Sequence, residues 1–257
     1  ISDGMFRGCT SLKSIELPIG LRFIGDGAFE GCISLKTIDL PKGVDSIGDN
    51  AFERSGLTSV TIPDGVKMIA FHVFLDCVDL ESLTLPTSVD IIQLSALQGC
   101  SNLKEITIPD GVSTISEDAF KGCTSIVRIY VGAGLMQIDP GAFGDIRFYT
   151  PGGVEIDPNK DTDAFKGKAY VRTGENRMEQ QAMYRITFNA NGGYGTMGYQ
   201  VLVEPGGDCR LPLCTYTPPN ASMSFRGWAT EPAGPVVYRD GDTVKNVRED
   251  MVLYATY

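Results

Sequence analysis

Hydrophobic residues recur along the first 145 residues with a long period and a constant internal order. An anchor returns at Phe6, Phe29, Phe52, Phe74, Leu97, Phe120 and Phe143, at spacings of 23, 23, 22, 23, 23 and 23 residues. The short interval has a visible origin: ERSGL follows Phe52 where EGCISL follows Phe29. A period in the twenties predicts a solenoid, each repeat one coil stacked on the next. Within a coil, Ile15-Glu16-Leu17, Ile38-Asp39-Leu40, Val60-Thr61-Ile62, Leu83-Thr84-Leu85 and Ile106-Thr107-Ile108 alternate apolar and polar, the pattern of a short strand. Proline follows each one (Pro18, Pro41, Pro63, Pro86, Pro109) and ends the ladder, because it has no N–H to donate. A second extended piece, such as Val44 to Ile47, completes the coil. The A-F-x-G-C segment is too short for an isolated helix and is expected as one tight helical turn. One coil cannot bury enough apolar surface to fold alone, so stability must come from stacking.

The repeat fades after Phe143. Residues 144–172 are expected to cap the stack, with a last edge strand around Arg147 to Tyr149 and closure by Tyr170 and Val171. The polar stretch 173–183, TGENRMEQQAM, reads as a linker. From Tyr184 to Tyr257 the composition shifts to Tyr, Thr, Val, Gly and Pro, with strand candidates YRITFNA, VLV, SFRGWA, PVVY and MVLYATY. The chain is therefore expected to be mainly β: a solenoid domain over 1–172, a linker over 173–183, and a small β domain over 184–257.

Two resemblances emerge from these motifs. The pieces A-F-x-G-C-x-x-L and I-x-L/I-P-x-G-V, over roughly residues 1–145, resemble the BspA-like leucine-rich repeat of bacterial surface proteins. That resemblance implies a β solenoid, binding to other macromolecules at the cell surface, and no catalysis. ITFNANGG, GTM, FRGWAT, YRDGDTV and LYATY in residues 184–257 resemble the Listeria–Bacteroides repeat, also called the internalin-type B repeat. This implies a β-grasp-like module of secreted and wall-associated proteins, acting as a spacer or an accessory contact. Tyr257 stands where that family usually ends in an aromatic residue such as Trp.

Charge narrows the partners. The chain carries a net −10, of which residues 184–257, with 7 acids and 6 bases, contribute −1. The acidic remainder argues against nucleic acid, which needs a basic face. No run of 18 apolar residues occurs, so no membrane-spanning helix is expected. The sequence opens on Ile1 inside a repeat, from which a longer N-terminus carrying an export signal is expected.

Candidate chemistry is sparse. Cys9, Cys32, Cys77, Cys100 and Cys123 share one slot three residues after an anchor, with Ser55 in the short repeat. Parallel side chains one rung apart, about 4.8 Å, suit neither disulfide geometry nor convergent zinc ligation, so they read as buried packing. Cys209 and Cys214 stand apart, and their pairing is open. His72, the one histidine, falls at a turn position matching Gly27 and Asn50, away from any nucleophile motif. The loop Asp157 to Asp163 offers alternating oxygens but has Thr162 and Lys168 where an EF-hand needs Gly and Glu. Trp228 reads as core, and GYGTMG lacks the succeeding helix of a phosphate loop.

No catalytic, cofactor or metal site is expected. Partner binding is expected from columns of outward side chains. One runs Glu16, Asp39, Thr61, Thr84, Thr107, Tyr130, a threonine ladder ending in an exposed aromatic. The other runs Phe23, Ser46, Met68, Ile91, Thr114, Gln137 and offers aligned apolar contacts. The expected function is a monomeric, non-enzymatic adhesion or protein-interaction protein, secreted or at the cell surface, whose partner is an extracellular protein or glycan. A structural spacer and a carbohydrate-binding surface protein are the alternatives.

Overall fold

A computed structural model describes residues 1–195 and 201–257. It contains two compact units, Ile1–Gln181 and Ala182–Tyr257. Thr196 and Met197, the end of the GTM motif, lie outside the described residues.

In the first unit successive coils build two parallel ladders. Ser59–Thr61, Ser82–Thr84, Glu105–Ile108 and Arg128–Val131 pair in order, one strand per coil. Met68–Ile69, Ile91–Ile92, Thr114–Ile115 and Gln137–Ile138 form the second ladder, and Phe23–Ile24 pairs with Ser46–Ile47 in the same style. The strands expected at Ile15–Leu17 and Ile38–Leu40 do not form; a single bridge, Thr37 to Ser59, marks that edge. Ile38 is nevertheless buried and Asp39 exposed, as the alternation requires.

The segment expected as a helical turn is instead a run of β-turns. Ala28, Glu30, Cys32 and Leu35 N–H groups each reach back three residues, to Gly25, Gly27, Phe29 and Cys32 carbonyls. The intervening donors point out of the coil: Gly27, Phe29 and Gly31 bond Asp49, Ala51 and Glu53 of the next coil at 2.8, 2.7 and 2.8 Å. This alternation needs left-handed backbone two residues before and two after each anchor. Gly27 and Gly31 (φ 58° and 70°) supply it around Phe29, and Asn50 and Arg54 (58° and 52°) around Phe52. The anchors form an aromatic spine, with Phe6, Phe29, Phe52 and Phe74 stacked at centroid spacings of 5.3, 5.5 and 5.5 Å. Leu97 interrupts it, and Phe120 and Phe143 resume at 5.2 Å.

The cap reverses the sheet. Beyond Arg128–Val131 comes not another repeat but Ala169–Gly174, running antiparallel, and then Arg177–Gln181. Arg147–Tyr149 is a strand as expected, but it pairs with Arg177–Gln181 and Glu155–Ile156 rather than with a repeat. Most of the stretch read as a linker is thus a strand of the first unit. Phe148, Phe165 and Tyr170 close the core, their rings 4.7–5.0 Å apart. Phe165 ends the short helix Thr162–Phe165, capped by the Asp161 carboxylate accepting from Ala164 N–H at 3.0 Å. In the same loop Asp157 and Asp163 pair with Lys160 and Lys166, so its carboxylates are committed to turn structure.

The second unit is a mixed sheet ordered Val201–Val203, Tyr184–Asn189, Met251–Thr256, Gly227–Ala229, with a parallel central pair. Trp228 is its fully buried centre, flanked by Phe188 and Phe225 at 4.9 and 5.0 Å, and its indole N–H donates to Asp240 at 3.2 Å. The NANGG turn has a structural purpose. Asn191 donates to the Pro232 and Ala255 carbonyls at 2.6 and 3.0 Å, and the terminal Tyr257 hydroxyl donates to Ala190 O at 3.0 Å. Gly193 lies against that hydroxyl, where a Cβ would collide.

Candidate interaction faces

The stack turns sequence period into surface columns. Phe23 lies beside Ser46, Met68 beside Ile91, Ile91 beside Thr114, and Thr114 beside Gln137. Phe23 is 53% exposed and Met68 41%, and Ile91 is half-buried. Each is followed by a buried isoleucine (Ile24, Ile69, Ile92), so the backbone that presents the column is held by the core.

The threonine column is also in register, with Thr61 beside Thr84 and Thr107 beside Tyr130. Thr61 is exposed, and Thr84 and Thr107 are half-buried. Tyr130 corrects the expectation: it is 4% exposed. The coil period carries no information about the chain past the last rung, and the reversed cap strand sets Ala169 beside Tyr130. A residue in line for display is part of the closure. Glu105 and Arg128, on the same sheet, bridge at 3.4 Å across adjacent coils.

With the coil and its faces defined, the comparisons are unambiguous. The BspA type leucine rich repeat region describes residues 1–127 in 6 copies, and the Listeria-Bacteroides repeat domain describes residues 184–256. The chain joins a BspA-type leucine-rich repeat region to a Listeria-Bacteroides repeat domain. A leucine-rich repeat protein from Bacteroides ovatus ATCC 8483 is 29% identical, with a TM-score of 0.55; the match covers 59% of this chain and 40% of that protein. The T. pallidum leucine rich repeat protein is 28% identical, with a TM-score of 0.53, over 69% of this chain and 78% of its own. No curated protein matches the chain.

Within the BspA-type coils the cysteine slot is a hydrogen-bonded core position. Cys32, Cys77, Cys100 and Cys123 are fully buried, and each thiol donates to the anchor carbonyl one coil back: Phe6, Phe52, Phe74 and Leu97, at 3.1, 2.9, 3.2 and 3.2 Å. Burial pushes the Cys77 and Cys123 thiols up to about 11 and about 12, and Cys100 well above its ordinary value. Ser55 takes the slot in the short coil and sits 3.4 Å from Cys77 Sγ. Cys9 departs from the expected burial and is exposed. Cys209 and Cys214 are both free thiols, the first buried and the second half-buried.

His72 occupies a left-handed turn position (φ 55°) in register with Gly27 and Asn50. Its ring lies 3.6 Å from that of Phe71, and Nδ1 is 3.5 Å from Asn50 Nδ2. Among the described residues no three His, Cys, Asp or Glu side chains converge as metal ligands, and no helix is long and apolar enough to cross a membrane. Two grooves beside the cap have no counterpart in the motif reading. Both lie where the repeat stops, and periodicity gives no signal there.

Proposed function

We propose that this chain is a non-enzymatic protein-binding module of a bacterial surface or secreted protein, engaging its partner through the column that contains Phe23, Met68 and Ile91. The observation that carries this reading is the alignment of Phe23, Met68 and Ile91 in one column, with Phe23 53% and Met68 41% exposed. Burying such side chains is worth roughly 1.5–3 kcal/mol each, and in this column that gain remains open to a partner. Membership of the BspA-type repeat region supports the surface assignment. The rest of the apparatus is structural: the thiols are neutral core groups and His72 serves a turn.

The test is binding of the wild-type chain and of a Phe23→Ser/Met68→Ser variant to a panel of extracellular matrix proteins and glycans, beside a melting curve. Loss of protein binding with unchanged melting supports the reading. Binding that survives the double substitution places the contact elsewhere, and binding to glycans alone favours the carbohydrate alternative.

A further inference from the structure

Through the first five coils the turn edge donates forward to the next coil. The three outward N–H groups of each coil lie two residues before the anchor, at the anchor and two residues after it. For the fourth coil they are His72, Phe74 and Asp76, bonded to the Leu94, Ala96 and Gln98 carbonyls at 3.3, 2.9 and 2.8 Å. In the sixth coil Phe120 still donates to Ala142 O at 2.7 Å, while among the described residues the Asp118 and Gly122 N–H groups no longer reach the next coil. In the last coil the same positions are Gly141, Phe143 and Asp145, and among the described residues their N–H groups meet no acceptor. A groove lies along them. One part, about 470 Å³, is lined by Gly141, Phe143 and Ile146 from the coil and by Ile156 and Asp157 from the cap. A second part, about 830 Å³, shares Gly144, Ile146, Arg147 and Glu155 with the first and carries Asp145.

We propose that this groove binds a short peptide segment of a partner protein through its main-chain carbonyls, in the place that the turn of a further coil would take. Three donors at alternate residues of one turn match alternate carbonyls of one backbone. The interface continues one made in full between successive coils up to the sixth. Ala142, Phe143, Phe148 and Ile156 give the groove an apolar floor for a small or aliphatic side chain. Asp139, Glu155 and Asp157 outnumber Arg147 on its rim, which disfavours free anions and acidic segments.

A second copy of this chain carries matching acceptors, because the carbonyls of Asp3, Met5 and Arg7 on its first coil accept nothing among the described residues. A whole coil cannot enter with them. The next rung would stack on the Phe143 ring, and Phe148 and Phe165 already meet that ring edge-on at 5.1 and 5.6 Å. The turn edge alone is open, so the groove fits a peptide without a core rung.

The probe is a capped peptide of the chain's own uncharged sequence LSALQG, residues 94–99, titrated into the ¹⁵N-labelled full chain. Saturable changes at the Gly141, Phe143 and Asp145 amides, with millimolar affinity, are expected. Glu155→Trp should fill the groove from an exposed position, weaken that binding at least about tenfold, and leave the melting temperature in place. Silence of all three amides at about 10 mM peptide, beyond any useful affinity, would overturn the proposal. Unaltered binding to a folded Glu155→Trp chain would do the same. Sedimentation should show a monomer, and head-to-tail oligomers would assign the groove to a second copy instead.

Discussion

Lys36 Nζ lies 2.7 Å from Asp79 Oδ2, across two coils rather than one. The coil between them is the short one. Its missing residue leaves Gly56 in the gap, packed so closely on the Ile33 carbonyl that a Cβ would collide. The ion pair spans the notch, and the glycine makes the notch possible.

The two contributions should differ in size. Both charged groups are about half exposed, so Lys36→Ala should cost less than about 1 kcal/mol and lose even that in high salt. Gly56→Ala must move backbone, and should cost about 1–3 kcal/mol by overpacking. Urea unfolding of both variants measures the contrast, and equal losses would contradict the geometry.

The thiol column predicts both reactivity and pH dependence. Under native conditions a thiol reagent should modify Cys9 quickly and leave Cys32, Cys77, Cys100 and Cys123 untouched. The Cys77 thiol is raised in the fold to about 11 from an ordinary 9. A raised acid favours the neutral form, so its contribution is complete below pH 9 and is lost as pH climbs towards 11. That loss amounts to about 2–3 kcal/mol. Cys77→Ser should lessen this alkaline slope, to which Cys100 and Cys123 also contribute, and Ser55 already shows that the slot accepts serine. Unfolding curves at pH 8 and pH 10.5 decide it.

Arg54 holds φ at 52°, where its counterparts around Phe6, Phe29, Leu97 and Phe120 are Gly8, Gly31, Gly99 and Gly122. Left-handed backbone costs a non-glycine residue roughly 1–2 kcal/mol. Its guanidinium contacts Glu53 and Asp76 at 3.5 and 3.6 Å from an exposed position, which offsets little. Arg54→Gly should therefore raise stability by about 1 kcal/mol, visible as a higher denaturation midpoint; a lower one would show that the ion pairs dominate.

The Tyr170 hydroxyl is buried in the cap and finds no hydrogen-bond partner among the described residues, and burial raises its pKa well above the ordinary phenol value. An unsatisfied buried hydroxyl costs about 1–3 kcal/mol. Tyr170→Phe keeps the rings against Phe148 and Phe165 and removes that cost, so the variant should melt at a higher temperature than the parent.

Much of this was legible in the residues. The anchors, phenylalanine in all but Leu97, gave the coil, its register and both columns, because a period sustained over seven copies leaves few alternatives. The turn was harder. Gly27 and Gly31 announce left-handed backbone, but Arg54 and His72 in the same positions do not, and A-F-x-G-C reads like a helix start until its outward N–H groups find the next coil. The cap was least legible. Nothing periodic says that Ala169–Gly174 returns beside Arg128–Val131, which is why Tyr130 looked displayed and the hairpin after it looked like a linker. A periodic signal describes the interior of an array and fails at its boundary.

The forward-donating turn edge also bears on how such a molecule changes length. From the first coil to the sixth, the three donors of each coil meet the same three acceptors of the next. Removing residues 24–46 as a block would leave every remaining edge correctly mated, whereas cutting half of that block would misalign two ladders. Reach in this architecture is therefore counted in whole repeats, each worth one strand spacing of about 4.8 Å. Gain or loss of a repeat changes how far the cap stands from Ile1 without asking the core to be redesigned.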